Sequence, residues 1–217
     1  MTHEATEQIN ECNKCSKPTS LCICNLIKPI ETKSHVLILQ HPQEPDKILG
    51  TALLTHLALK NSTLKTGLSW PNLSKALGSP ATNSNWGVLY LGSRSDTSQY
   101  ILPHSHPGNA PYPPLHKTHK LDGLVLLDGT WSQAKTLWWR NPWLLKLKRF
   151  VLHPKERSLY GSLRKEPRRE CLSTLEAAAM ALDILEQDAR AGNMLQGYLF
   201  EFLKNYKNHY KSISKLV

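Results

Sequence analysis

The stretch GLVLLDGTWSQAKTLWW (residues 123–139) passes from an apolar run, through an acid and a glycine, into a run with helical spacing. The apolar run predicts a buried strand over 123–129, and the spacing after it predicts a helix over 131–139. Strands that are apolar on both faces and alternate with helices are typical of parallel sheets covered on two sides. The stretch therefore predicts an α/β fold.

The same alternation of strands and helices continues along most of the chain. Apolar runs predict three more strands, at 35–40, 86–92 and 149–153. Helical spacing predicts helices over 46–60 and from about Met194. Another helix should begin at Ser173, because Ser173 and Glu176 have the spacing of a capping box. We predict a mostly parallel sheet flanked by helices.

The segment 93–122 separates two predicted strands and contains five prolines and four histidines. A loop of this length inside a compact domain is usually functional or mobile. Its histidines lack the regular spacing of metal ligands, so the sequence does not favour a second metal site there. The role of this segment stays open.

Four of the five cysteines fall within thirteen residues, in the pattern C-x2-C-x6-C-x-C. This tight thiolate tetrad predicts a structural Zn²⁺ site, because four thiolates fill a tetrahedral shell and leave no open position for catalysis. The alternatives are an unmetallated reduced tail and a pair of redox thiols. We expect a zinc knuckle over residues 1–30 and a larger domain over 31–217. The predicted zinc ligands are Cys12, Cys15, Cys22 and Cys24.

The chain is basic, since 27 Lys and Arg face 17 Asp and Glu and give a net charge of +10. This excess favours a polyanionic partner such as nucleic acid, although a merely basic enzyme would share it. The densest basic stretch comprises Lys155, Arg157, Arg164, Lys165, Arg168 and Arg169. A row of lysines on the last predicted helix suits either phosphate contacts or a solvated face. The row comprises Lys204, Lys207, Lys211 and Lys215.

The sequence has no feature that favours a membrane location. No apolar run approaches the ~18 residues that a membrane-spanning helix needs. The polar start MTHEATEQINEC lacks the apolar core of a secretory signal. We expect a cytoplasmic monomer with no membrane partner.

Asp128 is predicted to lie at the carboxyl end of a strand, where parallel sheets bind ligands. The alternative is that Asp128 caps the helix that follows. Gly129 would let the backbone turn sharply or approach a ligand, and Thr130 could cap that helix. Trp131 comes directly after this turn and is expected to touch a ligand. Three further tryptophans are expected in the core: Trp138, Trp139 and Trp143.

The D-G-T-W motif at 128–131 resembles the signature of the DTW-domain family. Three more blocks are similar to that family in the same order. They are the cysteine cluster, L-Q-H-P-Q-E at 39–44 and R-K-E-P-R-R-E-C-L-S-T-L-E-A at 164–177. The resemblance spans nearly the whole chain. It implies that 31–217 is a DTW catalytic domain with a SPOUT-like, trefoil-knotted fold.

Described bacterial members of that family are tRNA-uridine aminocarboxypropyltransferases. The resemblance implies that S-adenosylmethionine donates its 3-amino-3-carboxypropyl group to N3 of a tRNA uridine, forming acp3U and releasing methylthioadenosine. It also implies that tRNA is the partner and that the target uridine lies in the variable loop.

The expected site surrounds Asp128, which would either take the N3 proton or orient the donor. The helix start at Ser173 should offer unpaired N–H groups to the donor's carboxylate; the alternative there is a plain capped helix. The expected donor-binding residues are Leu91, Gly92, Leu127, Gly129, Thr130, Trp131, Leu172, Ser173, Thr174 and Glu176. The expected tRNA-binding residues are His41, Glu44, Arg157, Arg164, Lys165, Arg168 and Arg169. For His41 and Glu44 the alternative is a proline-anchored turn.

Two rival functions share some of these features. A methyltransferase would use the same donor. A zinc-bearing RNA-binding protein without catalysis would explain the charge and the cysteines. It would not explain an acid at the end of a strand.

Overall fold

A six-stranded sheet organises the computed structural model, which describes residues 10–89, 100–102, 121–152, 154, 156–163 and 172–213. The strands are β1 (His35–Gln40), β2 (Ser62–Thr66), β3 (Trp86–Leu89), β4 (Tyr100–Leu102), β5 (Gly123–Asp128) and β6 (Lys148–Leu152). Their order is β2-β1-β5-β3-β6-β4, and every neighbouring pair is parallel. The predicted α/β class with a parallel sheet is confirmed.

Helices cover both faces of the sheet. They are α1 (Ala52–Ala58), α2 (Leu73–Leu77), α3 (Trp131–Arg140), α4 (Thr174–Glu186) and α5 (Arg190–Ile213). Short 3-10 turns lie at Asn83–Asn85, Pro142–Lys146 and Gly161–Leu163. In the described part of the chain, each helix is too short or too polar to serve as a membrane-spanning segment.

Alternate residues of the central strands enter two separate hydrophobic layers. Along β1, Val36 and Ile38 join one layer, whereas Leu37 and Leu39 join the other. The first layer also contains residues of α1, α4 and α5, and the second contains residues of α2 and α3. Full burial of one such side chain contributes about 1.5–3 kcal/mol. Burial on both faces explains why the central strands are apolar without interruption.

The cysteine segment packs into the first layer. Cys15, Leu21 and Ile23 are buried in the same cluster as residues of α4 and α5. The Tyr198 hydroxyl of α5 accepts from the Lys28 N–H at 3.0 Å and donates to the Lys28 carbonyl at 3.1 Å. The segment before β1 is therefore fastened to the helical layer. The predicted domain boundary at residue 30 stays a prediction.

The helix predicted over 46–60 is shorter in the structure, where α1 begins at Ala52 and ends at Ala58. Residues 41–50 form successive turns instead. In these turns three N–H groups donate to the carbonyl three residues earlier: Glu44, Lys47 and Gly50. Pro42, Pro45 and Gly50 are the poorest helix formers in this segment, which explains why α1 begins only after Gly50.

Two edge strands and one short helix are absent from the sequence prediction. The strand β2 is polar, and β4 lies within 93–122, which the sequence treats as a loop. Each pairs with a neighbour on one side only, so neither needs a long apolar run. The missed helix α2 has only five residues. Residues 90–92 of the second predicted strand lie outside the described part of the chain.

The tryptophans of the α3 region divide between core and surface. Trp138 and Trp143 are 8% and 5% exposed in the second layer, so the core prediction is confirmed for them. Trp139 is 75% exposed, and its predicted core position is wrong. Neighbouring residues on a helix point about 100° apart, because 3.6 residues complete a turn. Burial of Trp138 therefore turns Trp139 towards solvent.

A substitution at Gly123, at the start of β5, tests how tightly the sheet is packed. A Cβ added there would lie 2.5 Å from the Trp86 ring and 2.7 Å from the His35 carbonyl oxygen. We expect Gly123→Ala to lower the free energy of unfolding by about 1–3 kcal/mol, as measured by urea denaturation. Gly197 of α5 is the control, because its Cβ would meet nothing within 4 Å. Equal stability of the two variants would contradict this account.

Candidate active site at the carboxyl edge of the sheet

Asp128 ends β5 and is only 7% exposed. The register places it beside Gln40, the last residue of β1. Gln40 Nε2 donates to Asp128 Oδ2 at 2.9 Å, and Thr174 Oγ1 donates to Asp128 Oδ1. Thr66 Oγ1 donates in turn to Gln40 Oε1 at 3.1 Å. These hydrogen bonds join β1, β2, β5 and the start of α4 around one carboxylate.

The turn after Asp128 is closed by Thr130, the N-cap of α3. The Gln133 N–H donates to Thr130 Oγ1 at 3.4 Å, and the Thr130 N–H donates to Gln133 Oε1 at 2.6 Å. Capping by Thr130 is confirmed, and the alternative role of Asp128 as that cap is wrong. A Cβ on Gly129 would lie 2.8 Å from Gln133 Cβ. Close approach to the first turn of α3 therefore explains this glycine.

The capping box predicted at Ser173 and Glu176 is confirmed. Glu176 Oε2 accepts from the Ser173 N–H at 2.9 Å, from Ser173 Oγ at 2.7 Å and from Ser158 Oγ at 2.9 Å. Its Oε1 accepts from the Leu159 N–H at 2.7 Å. Because both oxygens bind protein donors, Glu176 fastens residues 158–159 to the start of α4.

The N–H groups at the start of α4 differ from the sequence prediction. Unpaired groups were expected there, but the Leu175 N–H donates to Thr51 Oγ1 at 3.3 Å. The Glu176 N–H donates to Ser173 Oγ at 3.2 Å. The prediction is wrong for these two groups, because side chains from α4's own N-cap and from the residue before α1 already satisfy them. Thr174 is the first residue of α4 and donates to Asp128. The positive end of the helix dipole therefore still lies next to the Asp128 carboxylate.

The turns after β1 form a second wall of this edge. The His41 N–H donates to the Asp128 carbonyl at 2.9 Å. Glu44 is 5% exposed, and its Oε1 forms an ion pair with Lys47 Nζ at 2.5 Å. The Tyr160 hydroxyl donates to the Leu49 carbonyl at 2.7 Å, which joins these turns to the segment held by Glu176.

Lys17 is a buried cation near the site that the sequence prediction missed. It is 5% exposed, and its Nζ donates to the Lys47 carbonyl at 2.8 Å. Burial lowers the pKa of Lys17 to about 8, although the nearby charges of Cys15 and Asp128 favour its protonated form. Lys17 therefore lies close enough to both Cys15 and Asp128 for their charges to act on it. The sequence position of Lys17 among the cysteines did not predict its proximity to Asp128, because the two residues are far apart in the sequence.

Other residues of this network were also missed, among them Gln40, Thr51, Thr66 and Ser158. Gln40 is the one polar residue after an apolar run in β1, which is the same signal that identified Asp128 in β5. Thr51 and Ser158 carry no comparable signal, because they act on α4 from distant loops. The missed residues position others, and Thr51 and Ser158 are recognisable only once the segments are folded together.

The four N-terminal cysteines converge on one point. Their Sγ atoms all lie within 4.8 Å of one another, with 3.9 Å between Cys12 and Cys24 and 3.8 Å between Cys15 and Cys22. All four are free thiols rather than disulfides. The cluster could hold a metal ion.

The electrostatic surroundings of these thiols are uneven. The backbone N–H groups of Lys14 and Cys15 lower the pKa of Cys12 to about 6. Burial raises the pKa of Cys15 to about 11 and the pKa of Cys24 above its ordinary range. A bound cation would favour the deprotonated form of every cysteine, because thiolates are the metal ligands.

The predicted site residues fall into two groups. Those on or next to the segments that meet at this edge are His41, Glu44, Leu127, Gly129, Thr130, Trp131, Arg157, Leu172, Ser173, Thr174 and Glu176. Those outside the described residues are Leu91, Gly92, Arg164, Lys165, Arg168 and Arg169. Lys155 and most of 93–122 also lie outside them. Arg157 is exposed and directly precedes Ser158, which Glu176 holds.

Comparison with known proteins identifies the family. Residues 9–207 match the DTW domain, so the chain belongs to the DTW-domain family. The resemblance inferred from the four sequence blocks is confirmed.

Named relatives of the chain come from animals and a plant. The protein "tRNA-uridine aminocarboxypropyltransferase 2" of Mus musculus is 32% identical over 191 residues, which are 85% of this chain and 59% of the relative. The protein of the same name in Drosophila melanogaster is 35% identical over 187 residues, 82% of this chain and 67% of the relative. "tRNA-uridine aminocarboxypropyltransferase A" of Arabidopsis thaliana is 28% identical over 224 residues, 89% of this chain and 78% of the relative.

The chain thus spans about three fifths of the length of the mouse relative. No solved structure matches the chain.

Replacing Glu176 with glutamine should weaken the junction between α4 and residues 158–159. The substitution replaces one oxygen of the carboxylate with an NH2 group, which cannot accept a hydrogen bond. The buried donors that now face that oxygen would lose their acceptor. We expect Glu176→Gln to lower the free energy of unfolding by about 1–3 kcal/mol in urea denaturation. The control is Glu201→Gln, which removes an exposed pair with Lys204 and should cost less than about 1 kcal/mol. Similar losses in both variants would contradict the proposed tie.

Proposed function

We propose that this chain transfers the 3-amino-3-carboxypropyl group of S-adenosylmethionine to N3 of a uridine in tRNA. One observation carries the proposal. The aspartate of the family motif is a buried carboxylate held by Gln40 and Thr174 at the carboxyl edge of a parallel sheet. Ligands of parallel sheets bind at this edge. The names of the relatives supply the reaction class.

The reaction is a displacement at carbon. Uridine N3 loses its proton and forms a bond to the γ-methylene carbon, while the bond from that carbon to the positively charged sulfur breaks. The sulfur keeps the electron pair, and neutral methylthioadenosine leaves. The chain must therefore accept a proton, align the two reactants and bind the donor without favouring the sulfonium charge, because that charge disappears as the reaction proceeds.

Asp128 is assigned to proton removal from N3, directly or through one water. Its two oxygens are hydrogen-bond acceptors, and the hydrogen bonds from Gln40 and Thr174 hold them at the edge where the substrate would bind. Positioned general bases contribute roughly 10²–10⁴-fold in rate. Alignment of two bound reactants supplies about 7–11 kcal/mol of the barrier, so positioning outweighs proton transfer. The rigid hydrogen-bond network around Asp128 suits that demand.

The donor is assigned to the segments that meet beside Asp128. Leu127, Gly129, Thr130 and Trp131 would contact it from the end of β5. Leu91 and Gly92 would contribute after β3, and Leu172, Ser173 and Thr174 would contribute at the start of α4. Since its carboxylate already binds four donors, Glu176 would act by positioning this wall. The start of α4 presents the positive end of its dipole to the donor's carboxylate.

The tRNA is assigned to the basic surface around this edge. His41, Glu44 and Arg157 would lie near the substrate, and the phosphate contacts would continue along Arg164, Lys165, Arg168 and Arg169. A net charge of +10 supports a polyanionic partner. A uridine inside folded tRNA must be unstacked before its N3 becomes accessible, and aromatic faces compensate part of that cost. We also propose that the target uridine lies in the variable loop and that the protein is a cytoplasmic monomer with a SPOUT-like knot.

The cysteine cluster is assigned to a structural zinc ion. A tetrahedron with Zn–S bonds of about 2.3 Å requires sulfurs about 3.8 Å apart. Two of the sulfur pairs lie 3.8 and 3.9 Å apart, and all four sulfurs lie within 4.8 Å of one another. Four thiolates complete the shell, so the ion would stabilise residues 1–30 and would not bind substrate.

Removal of the Asp128 carboxylate should abolish modification without unfolding the protein. We expect Asp128→Ala and the isosteric Asp128→Asn to lower the rate by about 10²–10⁴-fold. The assay is mass spectrometry of nucleosides after incubation with unmodified tRNA, and tRNA affinity should change little. Asp188→Asn, at an exposed residue between α4 and α5, is the control.

Binding of the donor separates the roles of Asp128. If Asp128 acts only as a base, Asp128→Asn should keep the calorimetric affinity for S-adenosylmethionine. If Asp128 orients the donor, the same variant should bind it more weakly. Full activity of the variant would overturn the assignment. A methylated nucleoside in the wild-type reaction would identify a methyltransferase, and a lack of donor binding would favour an RNA-binding protein.

Loss of one cysteine should empty the metal site. We expect Cys12→Ser to lower the zinc content of the purified protein and its folding yield, because three thiolates no longer complete the shell. Elemental analysis and thermal unfolding measure the two effects. Ser20→Ala, at an exposed residue between the cysteine pairs, should leave both unchanged. Unchanged zinc content in Cys12→Ser would contradict the assignment.

A further inference from the structure

The outer face of α3 carries an aromatic and basic stripe formed by Trp131, Lys135 and Trp139. These residues follow one another at steps of four, which places them side by side along the helix. Lys135 Nζ lies 5.8 Å from the centre of the Trp131 ring. Trp139 is 75% exposed, the highest value among the large hydrophobic residues described as exposed. The stripe therefore presents an indole ring to solvent beside a cation.

The charge of this region is strongly one-sided. Between Asp128 and Glu156 the chain contains six Lys and Arg and no Asp or Glu. Lys135, Arg140 and Lys146 are exposed, and none of the ion pairs found among the described residues involves them. A single exposed tryptophan would need no explanation. An exposed tryptophan in a chain segment that contains bases and no acids is complementary to a polyanion with aromatic groups.

The stripe begins at the proposed active site. Trp131 is the third residue after Asp128 and the first residue of α3. The eight steps from Trp131 to Trp139 extend about 12 Å along the helix, at about 1.5 Å per residue. A nucleic-acid strand whose target uridine lies at Asp128 would therefore have neighbouring nucleotides within reach of the stripe.

We propose that this stripe binds unpaired nucleotides of the tRNA next to the target uridine. Trp139 stacks on a base, while Lys135 and Arg140 contact the phosphates. Single-stranded nucleic acids are commonly bound by aromatic platforms in a basic groove, and stacking tolerates any base. The stripe then positions the tRNA without selecting its sequence. This inference rests on the proposed function, because it takes tRNA as the substrate.

The test compares Trp139→Ala with Trp139→Phe in the full chain. The assay measures the affinity for unmodified tRNA and the KM and kcat of modification. Stacking of one base predicts that Trp139→Ala weakens tRNA binding and raises KM by about 5- to 150-fold, with kcat and thermal stability little changed. Trp139→Phe keeps an aromatic face and should retain most of the affinity. The control is Phe200→Ala, at a residue of α5 that is 58% exposed, and it should bind tRNA normally.

A second measurement tests the phosphate contact. Lys135→Gln should reduce the slope of log affinity against log salt by about 0.7–0.9, the value for one lost phosphate contact. A purely hydrophobic surface for another protein, or for a second copy of this chain, predicts no change in that slope.

The outcomes distinguish this inference from the proposed function. If wild-type protein modifies tRNA but Trp139→Ala binds it as well as Phe200→Ala does, the stripe is not a tRNA surface and the inference is wrong. A shift in oligomeric state of Trp139→Ala with unchanged tRNA affinity would assign the stripe to protein association and also overturn it. If wild-type protein neither binds nor modifies tRNA, the proposed function and this inference both fail.

Discussion

The carboxylate of Asp128 is the point on which the arrangement of the site depends. It ends β5, accepts from Gln40 at the end of β1 and accepts from Thr174 at the start of α4. A buried carboxylate needs such donors, because an unpaired buried charge is strongly unfavourable. The same bonds that satisfy the charge therefore fix the distance between the sheet and the helix. A group placed this firmly can meet a substrate without rearrangement, which is the main requirement for catalysis by alignment.

Glu176 has a different task from Asp128, although both are buried acids. Its two oxygens accept from four donors that belong to Ser158, Leu159 and Ser173. Hydrogen bonds of this number to one charged group stabilise it strongly and leave little capacity for a ligand. Thus one acid holds the wall of the site together, and the other is the acid to which we assign proton removal. Residue type alone would not reveal the positioning role of Glu176, whereas its four protein donors do.

The cysteine cluster is linked to the same edge through Lys17. This residue is buried beside Cys15 and lies near Asp128, and its ammonium group donates to the Lys47 carbonyl in the turns after β1. Cys15, Leu21 and Ile23 are packed in one hydrophobic layer with residues of α4 and α5. The proposed zinc ion would therefore support a segment that contacts the site. Loss of the ion would act on activity through packing and not through chemistry, since zinc would have no open coordination position.

The sequence by itself determined the fold class, the central strands, the cysteine cluster, the capping box at Ser173, the cap at Thr130 and the position of Asp128 at a strand end. These features depend on residues close together in the chain, where apolar periodicity and motif spacing report local structure directly. The edge strands β2 and β4 were missed, because pairing on one side stabilises short or polar segments that carry no local signal. Tertiary structure alone decided that Trp139 is exposed, that Thr51 satisfies an N–H of α4 and that Lys17 approaches Asp128. Each of these contacts or exposures depends on how distant elements pack together, and packing partners separated by dozens of residues leave no periodic pattern in the sequence.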